Sequence, residues 1–225
     1  MGYLTLIILT TIIGLGAQFY VNSQIARYSE VPTTSGLTGH QAAANMLAYH
    51  GITNVPISQG GARQDYFDPT TNSITIDPNA YSSRSITAIA TACHEVGHAC
   101  QYAQGYWMMK LRTSLVPAVN LASRSWMLFL FLGFMLYSSG SLSGGSMMIN
   151  VAIALFAVAV LFHLVTLPVE LDASRRAMNY LEASGFPAEE RAGAFSVLRA
   201  CAFTYVAAAL ASILQLLWLL GQRNQ

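Results

Sequence analysis

The feature that most constrains this chain is a set of four long apolar stretches. They cover approximately residues 3–21, 125–142, 147–167 and 200–220. A helix needs about 20 mainly apolar residues to cross the hydrocarbon core of a bilayer. In that medium a spanning segment must satisfy its own backbone hydrogen bonds, which favours the α-helix for stretches of this length. We therefore expect four transmembrane helices.

The composition supports a membrane protein and argues against nucleic acid as a partner. Hydrophobic residues make up 54% of the 225 residues and charged residues only 9%, whereas soluble domains carry roughly 25% charged residues. The net charge is +1, without the basic excess of a nucleic-acid-binding surface. The first stretch lacks a basic start and a small-residue cleavage site, so we interpret it as an anchor rather than a signal peptide. The expected partner is the lipid bilayer, and the oligomeric state is left open.

The distribution of basic residues predicts which face of the membrane carries the polar segments. A short uncharged turn joins the second and third stretches and predicts a hairpin, which places residues 22–124 and 168–199 on one face. All lysines and arginines except Arg223 lie in those two segments, as the positive-inside rule predicts for the cytoplasm. We therefore expect segments 22–114 and 168–199 to work in the cytoplasm, with both termini outside.

The segment 22–114 is predicted to be a small α/β unit. A run of helix formers covers residues 38–50, and short β-branched runs at 52–57 and 73–77 predict strands. Apolar residues at helical spacing predict a further helix over 83–103. The fold class expected for the whole chain is mainly α, with four transmembrane helices and a small α/β cytoplasmic segment that carries this last helix.

The predicted helix carries a His-Glu-x-x-His motif formed by His94, Glu95 and His98. Residues four apart share a helix face, so the two imidazoles can meet one Zn²⁺ while Glu95 lies beside it. A catalytic zinc takes three protein ligands and a water whose pKa falls to about 7, and Glu95 is placed to accept the proton as general base. The alternative is a pair of core histidines without a metal, but such a polar face is expensive to bury unpaired. The spacing predicts a zinc metallopeptidase with one zinc per chain.

A third zinc ligand must come from another segment, and Glu170 is the preferred candidate. Glu170 lies just after the third apolar stretch and two residues after Pro168, which suits the first turn of a new helix. It would complete a His, His, Glu ligand set. A simpler alternative is that Glu170 compensates the dipole of that helix. Asp172 competes as a ligand, but its spacing to Arg175 and Arg176 favours an ion-pair role.

The three cysteines, Cys93, Cys100 and Cys201, have neither the number of a disulfide framework nor the spacing of a zinc knuckle. Cys93 and Cys100 flank the histidine motif and are alternative ligands. Free cysteine is also a common small core residue, and we expect that role for them.

Beyond the motif, the chain resembles the YugP-like bacterial membrane-bound neutral zinc metallopeptidases over most of its length. The stretches that carry the resemblance are 37–39, 65–69, 81, 84–86, 92–101, 166–177 and 204–207. The resemblance implies a gluzincin-like site in the plasma membrane of a bacterium, with His94, His98 and Glu170 binding zinc and Glu95 catalytic. Related enzymes often carry an acidic residue four positions after the ligand glutamate, where this chain has Ser174. That serine is expected to hydrogen-bond the site or to have no role.

Further roles follow from the chemistry of peptide hydrolysis. The developing oxyanion needs a donor, for which Tyr205 is the first candidate and Arg176 the second, although Tyr205 also suits an interfacial aromatic at a helix end. The strand at 73–77 is the candidate edge strand for pairing with an extended substrate. His163 is an ionisable residue inside the third apolar stretch and is a candidate supporting residue.

Two other functions fit part of the pattern. A site-2-type intramembrane protease carries the same motif in a bilayer-spanning helix, but the apolar run from Ile86 is shorter than a span requires. A non-proteolytic membrane adaptor with a structural metal site leaves Glu95 unexplained, because a structural zinc closes with a fourth ligand. We therefore predict an integral-membrane zinc endopeptidase that cleaves peptide or protein substrates at the cytoplasmic membrane face.

Overall fold

Helices dominate residues 2–223, the part of the chain that the computed structural model describes, with side chains described as far as Gly221. In this part the elements are α1 (Tyr3–Ser29), α2 (Gly39–Tyr49), β1 (Ile57–Gln59), β2 (Tyr66–Asp68), β3 (Ser73–Ile76), α3 (Pro78–Ser82), α4 (Ile86–Ala103), α5 (Trp107–Ser138), α6 (Leu142–Ala183) and α7 (Ala188–Arg223). The side chain of Arg223, which the charge argument sets apart, lies outside the described part.

Four helices, α1, α5, α6 and α7, are long and apolar enough to cross a membrane. Their most apolar windows have mean hydropathies of 1.9, 1.5, 2.5 and 1.9. Helices α1, α6 and α7 contain the apolar stretches 3–21, 147–167 and 200–220, whereas α5 ends at Ser138, before the predicted end of the stretch 125–142. All four helices also include residues outside those stretches. The prediction of a mainly helical chain with four candidate membrane helices and a small sheet is confirmed.

Helix α6 passes through Pro168 without ending. The prediction that a new helix begins at Pro168 is therefore wrong. Proline removes one backbone hydrogen bond and crowds the preceding turn, but helices of membrane proteins tolerate it where neighbouring groups satisfy the freed carbonyl. Glu170 consequently lies inside a helix of 42 residues, and dipole compensation in a first turn does not explain it.

The chain divides into two compact units, and the first contains most of the apolar helix length. It comprises the residues up to Leu15, Leu111–Thr166, and the residues from Tyr205 onward. Within it, α5 and α6 come together at glycines: a Cβ on Gly145 would lie 2.8 Å from the backbone nitrogen of Tyr137. Small residues at such a crossing allow close backbone approach in membrane helices.

The second unit comprises Gly16–Lys110 and Leu167–Thr204 and holds the sheet, whose strand order is β1-β3-β2. Strand β3 pairs parallel to β1 and antiparallel to β2. It confirms the strand predicted at 73–77, whereas the strand predicted at 52–57 begins only at Ile57. Because β3 is central, both of its backbone edges are paired. The prediction that it is the free edge for a substrate is wrong, and the sheet edges are β1 and β2.

Helix α2 agrees with the helix predicted over 38–50 and shows why it begins there. The Thr38 side chain accepts a hydrogen bond from the backbone of Gln41, whose side chain accepts in return from the backbone of Thr38. This capping box satisfies two amides that a helix start leaves unpaired. Buried residues of α2, including Met46, then join the core of the second unit, which surrounds α4.

Candidate metal centre

The histidine motif lies on α4, a helix with a capped start and a buried apolar face. The Ser85 side chain accepts from the Ala88 amide at 3.2 Å and caps its first turn, and Val96 and other buried apolar residues fix one face in the core. His94 and His98 lie one turn apart, with ring centroids separated by 4.8 Å and an interplanar angle of 83°. Both imidazoles therefore reach the same side of the helix.

Helix α6 brings Glu170 to the two histidines. The Glu170 Oε2 atom lies 3.2 Å from His94 Nε2 and 3.6 Å from His98 Nε2. One ligand atom from each of the three residues lies within 4.8 Å of the others, and Glu170 is only 3% exposed. The structure thus brings together the three ligands predicted from the sequence, although the elements that carry them are far apart in the chain.

Gly97 explains how α6 comes so close to α4. A Cβ on Gly97 would lie 2.5 Å from the carbonyl oxygen of Ala173, well inside van der Waals contact. Ala173 is itself fully buried, so small residues occupy both sides of the crossing. The glycine inside the motif therefore permits the helix contact that positions Glu170, a role that its spacing in the sequence did not reveal.

The second ring nitrogen of each histidine also has a partner. His94 Nδ1 lies 3.2 Å from Ser174 Oγ, and His98 Nδ1 lies 3.0 Å from Gln101 Oε1. An amide oxygen can only accept, so His98 donates its Nδ1 proton to Gln101 and leaves Nε2 free to act as a donor atom for a metal. Ser174 hydrogen-bonds the site, which is one of the two roles expected for it.

Gln101 is a site residue that the sequence reasoning missed. It is fully buried, and its Nε2 donates to the Val169 carbonyl at 2.8 Å and to Asp172 Oδ2 at 3.0 Å. Asp172 forms ion pairs with Arg175 and Arg176, as predicted from its spacing. The i, i+3 relation of His98 and Gln101 on one helix was the available signal, but the partners that orient the amide come from α6.

Glu95 occupies a buried position beside the cluster. It is 7% exposed, and its carboxylate accepts a hydrogen bond from the backbone N–H of Phe67 on β2. Burial raises the pKa of Glu95 to about 7; the charge of His94 opposes this shift, and the carboxylates of Glu170 and Asp65 add to it. A carboxylate with such a pKa can both take up and release a proton near neutral pH.

The other predicted site residues have different surroundings. Arg176 donates to Asp172 Oδ2 at 2.6 Å and to Gln104 Oε1 at 2.5 Å, which accounts for its guanidinium without an oxyanion role. Tyr205 is a half-buried residue of α7 in the first unit, and His163 is a half-buried residue of α6 in the same unit. The roles of Tyr205 and His163 stay predictions.

The cysteines are not part of the ligand cluster. Cys93 and Cys100 are fully buried in the core of the second unit, and Cys201 is half-buried against it. All three are free thiols. The expectation that Cys93 and Cys100 are core residues rather than ligands agrees with this packing.

The donor set fits a zinc ion. Two imidazole nitrogens and one carboxylate oxygen are the ligands of a common class of catalytic zinc site. Here the three donors converge at a buried point where a cation would balance the Glu170 charge. Each histidine also has a hydrogen-bond partner at Nδ1, as metal-bound imidazoles usually have at the ring nitrogen that does not bind the metal.

Comparison with known proteins agrees with this chemistry. The model of a family described as "Putative neutral zinc metallopeptidase" matches residues 3–224. The chain is 44% identical over 218 residues to the "Putative membrane protease YugP" of Bacillus subtilis (strain 168), covering 94% of each chain. No solved structure matches it. The chain therefore belongs to the family of neutral zinc metallopeptidases, which confirms the resemblance seen in its sequence.

Proposed function

We propose that this protein is an integral-membrane zinc endopeptidase in which His94, His98 and Glu170 hold one zinc ion per chain and Glu95 is the general base. The observation that carries the proposal is the convergence of the three donor atoms within 4.8 Å beside a buried Glu95 whose pKa is about 7. Membership in a zinc metallopeptidase family supports the same reaction.

The residues of the site divide the work of hydrolysis. Zinc, when bound, would supply Lewis acidity that polarises the peptide carbonyl and lowers the pKa of a water molecule. Glu95 takes the proton of the attacking water onto its carboxylate and delivers it to the leaving amine. The Phe67 N–H holds that carboxylate in place, so little reorientation is needed during proton transfer.

Gln101 and Ser174 act as positioning residues for the two imidazoles. Their contacts to His98 Nδ1 and His94 Nδ1 leave both Nε2 atoms directed toward Glu170. Gln101 is itself fixed by the Val169 carbonyl and Asp172. A fixed tautomer and ring orientation lowers the cost of assembling the ligand set.

Strand β2 is the better candidate for pairing with an extended substrate. It is an edge strand, and the Phe67 N–H hydrogen-bonds Glu95. In a β-strand the N–H and C=O of one residue point the same way, so the Phe67 carbonyl points to the same side as this N–H. A substrate added as a strand there would run beside the general base.

We place the site at the cytoplasmic face of a bacterial plasma membrane. The support is the sequence distribution of lysine and arginine, read by the positive-inside rule, together with four candidate membrane helices. The site-2-type alternative is less consistent, because among the described residues α4 is not one of the helices apolar and long enough to span. The adaptor alternative does not explain Glu95, because a structural zinc site has no need of a general base.

The test compares purified wild type with Glu95→Gln. Zinc content by mass spectrometry should equal one ion per chain in both, while cleavage of an unfolded protein falls about 10²- to 10⁴-fold in the variant. Zinc in both proteins with no cleavage by the wild type of any unfolded substrate would refute the peptidase function.

The third ligand has a separate test with a matched control. Glu170→Ala should lose bound zinc, because removing one of three ligands leaves only the two histidines. Glu182→Ala changes another glutamate of α6, which is exposed and pairs with Arg191, and it should keep zinc. Full occupancy in Glu170→Ala would remove Glu170 from the ligand set.

A further inference from the structure

A cleft of about 860 Å³ lies between α1 and the first turns of α4. Gln18 and Asn22 of α1 line one wall, and Thr87 and Thr91 of α4 line the other, with Asp65 also at the surface of the cleft. The Thr87 hydroxyl donates to the Ile25 carbonyl at 3.1 Å, which ties the two helices together. The cleft is therefore bounded by a candidate membrane helix and by the helix that carries the metal ligands.

The face of α1 toward the cleft mixes polar and apolar side chains, and α1 is one of the candidate membrane helices. Gln18, Asn22 and Ser29 lie along one stripe of the helix and line the cleft together with Val21, Ile25 and Ala26. Gln18 Nε2 donates to Asn22 Oδ1 at 3.0 Å. Gln18 lies near the end of the apolar stretch 3–21 and Asn22 directly follows that stretch. The polar side chains of α1 therefore begin where its apolar sequence ends, and they supply hydrogen-bonding groups to the cleft.

The α4 wall of the cleft leads to the general base. Thr91 precedes His94 by three residues and Glu95 by four, so it lies on the same helix face one turn earlier. Asp65 lines the cleft, and its charge acts on Glu95. Asp65 also immediately precedes the unpaired edge of β2. Two residues of the cleft lining, Thr91 and Asp65, are thus neighbours in the chain of the elements where an extended substrate would meet Glu95.

We propose that this cleft binds the part of an unfolded polypeptide substrate that lies on one side of the scissile bond, with α1 as one wall of the substrate site. The inference rests on the proposed peptidase function and adds the substrate class, an extended main chain held beside the membrane helix. The amides of Gln18 and Asn22 and the hydroxyls of Thr87, Thr91 and neighbouring serines are neutral donors and acceptors. Such groups can hydrogen-bond the N–H and C=O groups of a peptide main chain, and the charged residues Arg63, Asp65 and Asp77 also line the cleft.

The first test fills the cleft from its exposed wall. Ala26 is exposed and lines the cleft, whereas the next residue, Arg27, is exposed but does not line it. Ala26→Trp should raise KM for an unfolded protein about tenfold or more with zinc content unchanged, while Arg27→Trp should behave as wild type. Equal KM values in the wild type and both variants overturn the cleft proposal but leave the peptidase function intact; a wild type that cleaves nothing overturns the function itself.

A second test does not depend on turnover or on the stability of Ala26→Trp. A photoreactive amino acid at position 22 or, as control, at position 27 is introduced into zinc-loaded Glu95→Gln protein, which is then illuminated with the unfolded substrate. Crosslinks from 22 and not from 27 are expected. Equal crosslinking from both positions overturns the proposal. The absence of crosslinks from position 22 also overturns it, provided that the substrate still binds the protein.

A third experiment distinguishes soluble from membrane-anchored substrates. The protein in vesicles is given the same unfolded sequence either free in solution or tethered to a lipid. A larger effect of Ala26→Trp on the tethered form supports membrane-anchored polypeptides as substrates. An equal effect on both forms supports soluble ones. No effect on either form overturns the use of the cleft.

Discussion

The two units of the chain differ in which side chains they bury and which they expose. In the second unit, polar residues such as Gln101, Glu170 and Asp172 are buried and hydrogen-bonded. In the first unit, Thr166 is the one buried polar residue among those described. Large apolar side chains are instead exposed there, with Phe131 61% and Met127 59% exposed. Water-soluble proteins rarely leave contiguous surfaces of this kind uncovered.

The difference indicates that the two units suit different surroundings, lipid for the first unit and water for the second. The first unit needs little apolar burial, because lipid can cover its side chains, and its helices meet through glycines and one small cluster that includes Phe156 and Leu219. The second unit excludes water from polar groups, which then must find partners. The geometry of the candidate metal centre therefore depends on that unit's hydrogen bonds and on the close α4–α6 crossing.

The largest effect that tests this comparison is expected from Phe131→Arg. If lipid covers Phe131, arginine should cost about 2.5–3.5 kcal/mol of insertion free energy near the middle of the membrane. Val31→Arg, a partly exposed position in the second unit, should cost less than about 0.5 kcal/mol. Membrane-inserted fractions of the two variants, measured after expression, check the difference. Equal insertion would show that water, not lipid, faces Phe131.

The next effect separates two helical glycines, Gly97 and Gly14. Alanine at Gly97 meets the Ala173 carbonyl, so Gly97→Ala should cost about 1–3 kcal/mol by overpacking and should weaken zinc binding by displacing Glu170. Gly14, in the first unit, has open space around it, so Gly14→Ala should be neutral or stabilising by about 0.5–1 kcal/mol. Thermal unfolding in detergent and zinc content check both. Equal changes in the two variants contradict the steric role of Gly97.

The parts of the site that sequence reasoning found are those set by local spacing. The i, i+4 relation of His94 and His98 fixes their shared face whatever surrounds them. Glu170 was predicted from its place just after the third apolar stretch, although no helix starts there, and the family resemblance includes it. Helix α2 was predictable for the same local reason, since its capping box lies within four residues.

The parts that sequence reasoning missed depend on contacts between distant segments. Strand order places β3 between two neighbours, one of them in a parallel pair, and alternation of side chains does not show this. The continuation of α6 through Pro168 overrides a local penalty of about 3 kcal/mol. Gln101 looked like an ordinary polar residue near the end of a helix, because its partners Val169 and Asp172 lie on α6.

The smallest of the three effects should come from Gln101→Leu, which removes the amide but nearly keeps its volume. His98 Nδ1, the Val169 carbonyl and Asp172 then lose a partner at 2.8–3.0 Å. Loss of a hydrogen bond that orients a metal ligand typically weakens metal binding about 10- to 100-fold. Competition with a fluorescent zinc chelator measures the dissociation constant without requiring catalysis.

Gln104→Leu is the matched control for this prediction, because Gln104 is exposed near the end of the same helix and contacts Arg176 rather than a histidine. It should bind zinc as the wild type does.

Gln101→Glu separates the two halves of the amide: it can still accept from His98 Nδ1 but places a second carboxylate beside Asp172. Weak zinc binding in Gln101→Leu with recovery in Gln101→Glu would assign the effect to the His98 contact alone. Weak binding in both would show that the bonds to α6 are needed as well, because they hold the amide where the imidazole meets it. Wild-type affinity in Gln101→Leu would show that packing alone orients His98, and the polar network of the second unit would then be structural.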